Sequence, residues 1–272
     1  NWVGSALPDK NNVAAVVISS GKSVTFNSDD VGTIGSTIVN SGTLTFNGSN
    51  NFTFGNVISG SGALVKSGSN TLTLSATNTY FGNTTVSAGE LTITGAQSTN
   101  SNISVASGAT YNANSTDEVG RLTGTGSVVI ANGSTLTITI GNGTTTTFSG
   151  IISGSGNLGK TGRGIFILDQ ANTYSGNTII YDGNLEISGR LGAGSYAGLI
   201  SIAITKTLTV SSSSNQVLSG IISGDGSIVK SGTGTLTLSG NNTYKGTTTV
   251  NAGILSVATI GNGGVAGNLG QA

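Results

Sequence analysis

Val57 to Ile93 reads V-I-S-G-S-G-A-L-V-K-S-G-S-N-T-L-T-L-S-A-T-N-T-Y-F-G-N-T-T-V-S-A-G-E-L-T-I. Ile151 to Ile187 and Ile221 to Val257 repeat this block without gaps, at offsets of 94 and then 70 residues. Lys66, Lys160 and Lys230 correspond, and Tyr80, Tyr174 and Tyr244 each follow 14 residues later. The triplet Asn-Thr-Tyr aligns Asn78, Asn172 and Asn242, and two residues after each Tyr stand Gly82, Gly176 and Gly246. Gly89, Gly183 and Gly253 recur as well, with Leu91, Leu185 and Leu255 two residues on. Val39 to Phe46 and Ile130 to Ile138 are weaker relatives of the closing part. The match is loosest between Tyr196 and Ser214, and an irregular stretch is expected near Arg190 to Tyr196.

Inside each block apolar residues alternate with Thr and Ser, as in Thr71-Leu72-Thr73-Leu74 and Thr235-Leu236-Thr237-Leu238. Period two puts one face inward and one outward, the pattern of a half-buried strand. Branched Thr, Val and Ile suit a pleated surface, and Gly-Ser, Ser-Gly and Asn-Gly pairs supply the turns. Helical periodicity is absent. Each block carries about four short strands, too few to bury its own apolar face, so like blocks must stack. The predicted fold is all-β: a single-stranded parallel β-solenoid rising one strand spacing, about 4.8 Å, per winding. At about 20 residues per winding the chain makes roughly 12 or 13 turns, a rod on the order of 60 Å long. One continuous domain over 1–272 is expected, with 1–30 as N-terminal cap and first turn, and 57–93, 151–187 and 221–257 as the best-matched repeats.

Composition removes whole classes of chemistry. Among 272 residues there is no His, no Cys and no Met, 45 are Gly, and Pro8 is the only proline. Without Cys there is no disulfide, thiolate metal site or thiol nucleophile, and without His the usual general base is missing. Ten basic residues balance ten acidic ones, which gives no electrostatic footprint for nucleic acid. The longest apolar run, Val13 to Ile18, is far short of a membrane span. Low charge with abundant Gly can signal disorder, but 35 % of residues are hydrophobic and regularly placed, enough for a core. The start at Asn1 rather than Met points to processing or to a longer parent chain.

The string G-S-G-A-L-V-K-S-G-S-N-T-L-T-L-S-A-T-N-T-Y-F-G-N-T-T-V-S-A-G-E-L resembles the passenger-associated repeat of bacterial autotransporters, and Gly224 to Leu255 is the copy that resembles it most. The blocks cover somewhat under half of the chain. The resemblance implies a right-handed, extracellular parallel β-helix on a Gram-negative surface, serving as adhesin, stalk or scaffold. The opening Asn1-Trp2 with Pro8 also resembles the segment that precedes such repeats. The family's C-terminal membrane barrel is absent from these residues.

Each recurring residue admits two readings. The three lysines form either a basic binding stripe or bonds to strand edges and turn carbonyls. The three tyrosines stack on sugar rings or fold over a turn with the hydroxyl bonded locally. The asparagines read as turn residues whose side chains cap backbone groups. Polysaccharide-degrading β-helices need clustered carboxylates, whereas only Asp29-Asp30 and Asp117-Glu118 are adjacent here. Neighbours on a strand point to opposite faces, so both pairs read as solubilising loop charge. Asp225 stands where the other copies carry Ser61 and Ser155, which does not make a calcium array. No catalytic residue, cofactor or metal ligand is predicted.

An open solenoid must cover its end strands or pair them. Trp2, Pro8 and Asp9 to Asn12 are the predicted N-terminal cover. Ile260 to Leu269 has no charge, no Pro and no amphipathic helix, so this end is expected to continue beyond Ala272 or to dock onto another subunit. The expected function is non-enzymatic, at the bacterial outer surface or outside the cell. Its expected partners are host or neighbouring cells, or further subunits stacking end to end into a filament. The competing expectation is a carbohydrate-binding or polysaccharide-degrading β-helix.

Overall fold

The computed structural model describes residues 15–27, 37–261 and 264–271. Trp2, Pro8, Asp9 to Asn12 and Asp29-Asp30 lie outside the described residues. The described residues form short parallel strands and no α-helix. By internal contacts the chain divides into unit 1, Asn1–Val128, and unit 2, Val129–Ala272.

In unit 1 the strands Ser23–Asn27, Thr43–Asn47, Ala63–Lys66, Thr84–Val86, Ile103–Val105 and Leu122–Gly124 lie side by side in one sheet. Their register aligns Val24, Leu44, Leu64, Thr84, Ile103 and Leu122 as one column, and Phe26, Phe46, Lys66, Val86 and Val105 as another. A second wall carries Phe52–Phe54, Thr71–Leu74, Glu90–Ile93 and Thr110–Ala113. A third begins with Ala15–Ile18, Thr37–Asn40 and Ile58–Ser59. Alternation decides which atoms are inside: Leu44, Leu64, Leu72, Leu74 and Leu91 have no exposed surface, while the alternating Thr43, Thr45, Thr71 and Thr73 are partly exposed on the outer face. Each parallel strand leaves its winding's apolar row facing the row above, so burial is shared between windings. Phe26, Phe46 and Phe54 stack with ring centroids 5.5–5.6 Å apart.

Unit 2 uses the same device. One sheet aligns Thr135–Thr139, Asn157–Thr161, Thr178–Ile180, Ile200–Ile202 and Ile222–Gly224. Another aligns Thr145–Phe148, Ile165–Leu168, Asn184–Ile187, Thr207–Val210, Ser227–Lys230 and Thr248–Val250. A third wall runs through Ser195–Tyr196, Gln216–Leu218, Thr235–Leu238 and Ile254–Val257. The irregular stretch is a single 3-10 turn at Gly192–Gly194 between the strands Arg190–Leu191 and Ser195–Tyr196. Ala193 adopts φ 52° there, a left-handed conformation uncommon outside glycine.

The C-terminal end departs from the sequence expectation of an end without a cover of its own. Residues 264–271 fold back over the corner formed by Asn242, Thr243 and Tyr244. Asn242 N–H donates to the Gly267 carbonyl at 2.9 Å, and Gln271 N–H to the Tyr244 carbonyl at 2.9 Å. Asn268 joins three segments: its Oδ1 accepts from the Ala258 and Thr259 N–H groups, and its Nδ2 donates to the Gly240 carbonyl at 2.9 Å. An uncharged, glycine-rich segment is held on this corner by these hydrogen bonds, with Gly270 set close against the Tyr244 ring. Ile254 and Val250, on the neighbouring walls, remain 61 % and 47 % exposed.

Candidate functional site

Lys66, Lys160 and Lys230 stand inside the solenoid, in register with aliphatic residues. Lys66 lies between Phe46 and Val86, Lys160 between Ile138 and Ile180, and Lys230 between Val210 and Val250. Each side chain is almost wholly buried, a position lysine holds only when its ammonium is bonded. Lys66 Nζ donates to the carbonyl of Gly68 and, at 3.2 Å, to that of Ala88 on the next winding. Lys230 Nζ repeats the pair with Gly232 and with Ala252, the latter at 3.2 Å. Lys160 Nζ uses all three hydrogens, on the carbonyls of Thr161 (2.7 Å), Gly162 (2.6 Å) and Asp182 (3.1 Å). Burial pulls the Lys66 and Lys160 ammoniums down to about 8, opposed by the charges of Glu90 and Asp182 respectively. It lowers Lys230 as well.

Above each ammonium the chain turns through a left-handed glycine: Gly89 (φ 64°), Gly183 (φ 72°) and Gly253 (φ 71°). A Cβ at these positions would come within 2.8, 2.8 and 2.6 Å of the lysine Nζ. The recurrence of Lys with a Gly 23 residues later is thus one lock, with the ammonium filling the hollow under the turn.

The tyrosines are internal too. Tyr80, Tyr174 and Tyr244 have no exposed surface. The hydroxyl of Tyr80 shares a 2.7 Å hydrogen bond with Thr84 Oγ1, which meets Ser101 Oγ at 3.1 Å; Ser101 Oγ donates to the Gly82 carbonyl at 2.9 Å. In the second copy Tyr174 meets Thr178 at 2.7 Å, Thr178 meets the Tyr196 hydroxyl at 2.8 Å, and Tyr196 donates to the Gly176 carbonyl. The rings of Tyr174 and Tyr196 pack edge to face at 5.5 Å. Tyr244 pairs with Thr248 at 2.5 Å. Burial pushes Tyr80 and Tyr196 up to about 12, so these phenols stay protonated. Gly82, Gly176 and Gly246 close the set, because a Cβ on each would strike the carbonyl of Gly62, Gly156 or Gly226 one winding below.

The asparagines bridge windings at a corner. The Oδ1 atoms of Asn78, Asn172 and Asn242 accept the N–H groups of Ile58, Ile152 and Ile222 at 2.8–2.9 Å. The lysines and asparagines thus bond from one winding to the next, the Tyr80 and Tyr174 hydroxyls reach the next winding through Ser101 and Tyr196, and all of these side chains are buried.

Two of the described carboxylates are held in ion pairs. Asp182 pairs with Lys206 at 2.6 Å and Asp225 with Lys245 at 3.4 Å. Lys206 holds the Asp182 carboxyl below its usual range. Asp117 corrects the reading of Asp117-Glu118 as solubilising loop charge: it lies on the strand Asp117–Val119, points inward and is 7 % exposed. Among the described residues no group of three acidic side chains is placed to hold a metal ion. Ser101 and Tyr196 carry no signal in the repeat pattern, because the third partner of the hydroxyl chain differs between copies.

The passenger-associated-transport-repeat family matches residues 64–93, 158–187 and 228–257, the segments that carry the lysine, asparagine, tyrosine and glycine positions. The chain is 32 % identical over 180 residues to the adhesin BmaC autotransporter of Brucella suis biovar 1 (strain 1330), an alignment over 54 % of this chain. The chain spans 5 % of the length of that relative. No solved structure matches the chain. Among the described residues no helix is long and apolar enough to cross a membrane. Passenger repeats and an autotransporter relative mark a secreted, cell-surface chain. Three segments of the chain thus match the passenger-associated-transport-repeat, each lying within parallel windings of the β-solenoid type.

Proposed function

We propose that the chain is a non-enzymatic, adhesin-type surface segment, a β-solenoid that presents loops and hydroxyl-rich walls to host or neighbouring cells. The supporting observation is that the recurring side chains are spent on holding winding to winding. That leaves variable outward residues such as Phe81, Tyr181, Leu199 and Ile204, each at least half exposed, to meet a partner. Isolated, salt-bridged or internal carboxylates disfavour polysaccharide cleavage, which takes a facing pair. The similarity to a protein named an adhesin supports the same reading. Labelled chain incubated with host cells, matrix proteins and a glycan array should bind saturably to at least one. Absence of binding together with turnover of a polysaccharide would contradict the proposal.

A second use within this reading is end-to-end association. Thr248–Val250 and Ile254–Val257 are outermost in their sheets, and the exposed Val250 and Ile254 lie on them. An unpaired edge of this kind accepts a further strand, which another subunit would supply to build a filament. Electron microscopy of the purified chain and of Ile254→Lys tests it. Ordered fibres lost in the variant support stacking, and single short particles in both oppose it.

A further inference from the structure

The corner bond made by asparagine recurs across the same span of 20 residues in both units: Ile58 to Asn78, Ile152 to Asn172 and Ile222 to Asn242. Gln97 makes it to Asp117, again across 20 residues, with its N–H 3.1 Å from Oδ1 and 3.0 Å from Oδ2. Asp117 therefore stands at an asparagine position.

The two side chains differ by one donor. The Nδ2 groups of Asn78 and Asn172 donate to the carbonyls two residues before them, Ala76 at 3.0 Å and Gln170 at 2.9 Å. That of Asn242 donates to the Asn268 carbonyl at 2.7 Å. An ionised carboxylate has no hydrogen to give, whereas a protonated one has an O–H. The surroundings of Asp117 are short of compensation. Its acceptors take the N–H groups of Gln97 and Glu118. The side-chain amide of Gln97 and the hydroxyl of Tyr111, both buried, have no hydrogen-bond partner in the protein. The titratable groups its charge reaches are Glu118, Tyr111 and Tyr80, none of them cationic.

We propose that Asp117 is a proton-operated latch in unit 1. With its carboxyl protonated it has the donor that the corner asparagines use, and with the carboxyl ionised the corner lacks that donor and encloses a charge. Burial pushes this carboxyl up to about 6, against the pull of the Gln97 and Glu118 N–H groups. The folded value lies above the ordinary 3.8, so the folded chain binds the proton more tightly than the unfolded chain. The contribution is present in full below the ordinary value and is lost as pH rises through about 6.

The test is the pH dependence of unfolding of the full chain and of Asp117→Asn, which has the donor at every pH. Urea midpoints are measured at about pH 4.5 and 7.5, on either side of the folded value. Relative to the unaltered chain, the variant's unfolding constant should fall about tenfold or more between the two conditions. An unchanged difference between the chains, or a variant weakened at the higher pH, would overturn the latch. If the variant does not fold, carbon-detected NMR titration of Asp117 in the unaltered chain decides. A midpoint near 6 supports the proposal, and a midpoint in the ordinary carboxylate range refutes it.

Discussion

Lys66 Nζ reaches the carbonyl of Ala88, 22 residues later, at 3.2 Å, across the boundary between two windings. The carbonyl belongs to the turn whose next residue is Gly89, and the same ammonium holds Gly68 on its own winding. A solenoid's turns leave carbonyls inside that the sheet ladders do not use. A lysine placed in an apolar column satisfies two or three of them at once.

Replacing Lys66 or Lys160 by Met keeps the apolar stem and removes the ammonium. Each substitution strands buried carbonyls and should cost on the order of 1–3 kcal/mol per unsatisfied group, offset in part by relief of the buried charge. Urea unfolding followed by circular dichroism measures it. A loss for Lys160→Met exceeding that for Lys66→Met is expected, because Lys160 serves three carbonyls and Lys66 two.

The same lysines set a rise of stability at alkaline pH. Their folded values of about 8 lie below the ordinary 10.5, so the folded chain binds these protons less tightly. The penalty is complete below about 8 and relaxes as pH climbs toward 10.5. The buried tyrosines act oppositely, losing stability as pH rises through 10 toward 12. Midpoints should therefore increase between about pH 8 and 10, the interval in which the lysines act before the tyrosines, and the increase should shrink in the Met variants.

Gly89→Ala and Gly108→Ala separate crowding from backbone strain. Both glycines are left-handed, at φ 64° and 78°, but a Cβ at Gly108 meets nothing within 4 Å while one at Gly89 comes within 2.8 Å of Lys66 Nζ. Gly108→Ala should cost about 1–2 kcal/mol, the strain alone, and Gly89→Ala distinctly more. Thermal unfolding of the two variants checks the order.

Tyr80→Phe removes the head of a chain that ends on the Gly82 carbonyl. A loss of about 0.5–1.5 kcal/mol is expected for the hydroxyl. Tyr244→Phe should lose less, since its hydroxyl meets only the half-buried Thr248. Denaturant titration of both variants provides the comparison.

What the sequence made legible follows from repetition. Leu44, Leu64 and Leu72 could be placed inside by alternation alone. Lys66, Asn78, Tyr80 and Gly82 stood out because Lys160, Asn172, Tyr174 and Gly176 repeat them. Two readings of the lysines stayed open, since a pattern in sequence does not say whether an ammonium points into a column or out of it. Ser101 and Tyr196 do the same work with different side chains, and Asp117 replaces an asparagine outside the repeated blocks, so neither shows in self-comparison. The fold-back of 264–271 rests on Asn268 bonding to Gly240, Ala258 and Thr259, contacts that no periodicity announces.

The central claim is that successive windings pair in parallel, residue 45 beside residue 65. The chain has no cysteine, so a double variant Thr45→Cys, Val65→Cys carries a single possible bridge. Parallel neighbours lie about 4.8 Å apart, within the Cα span a disulfide accepts. Mild oxidation should join this pair quantitatively in the folded chain, while Thr45→Cys, Leu64→Cys, with side chains on opposite faces, should stay reduced. Cross-linking of the second pair in preference to the first would contradict the register and the solenoid with it.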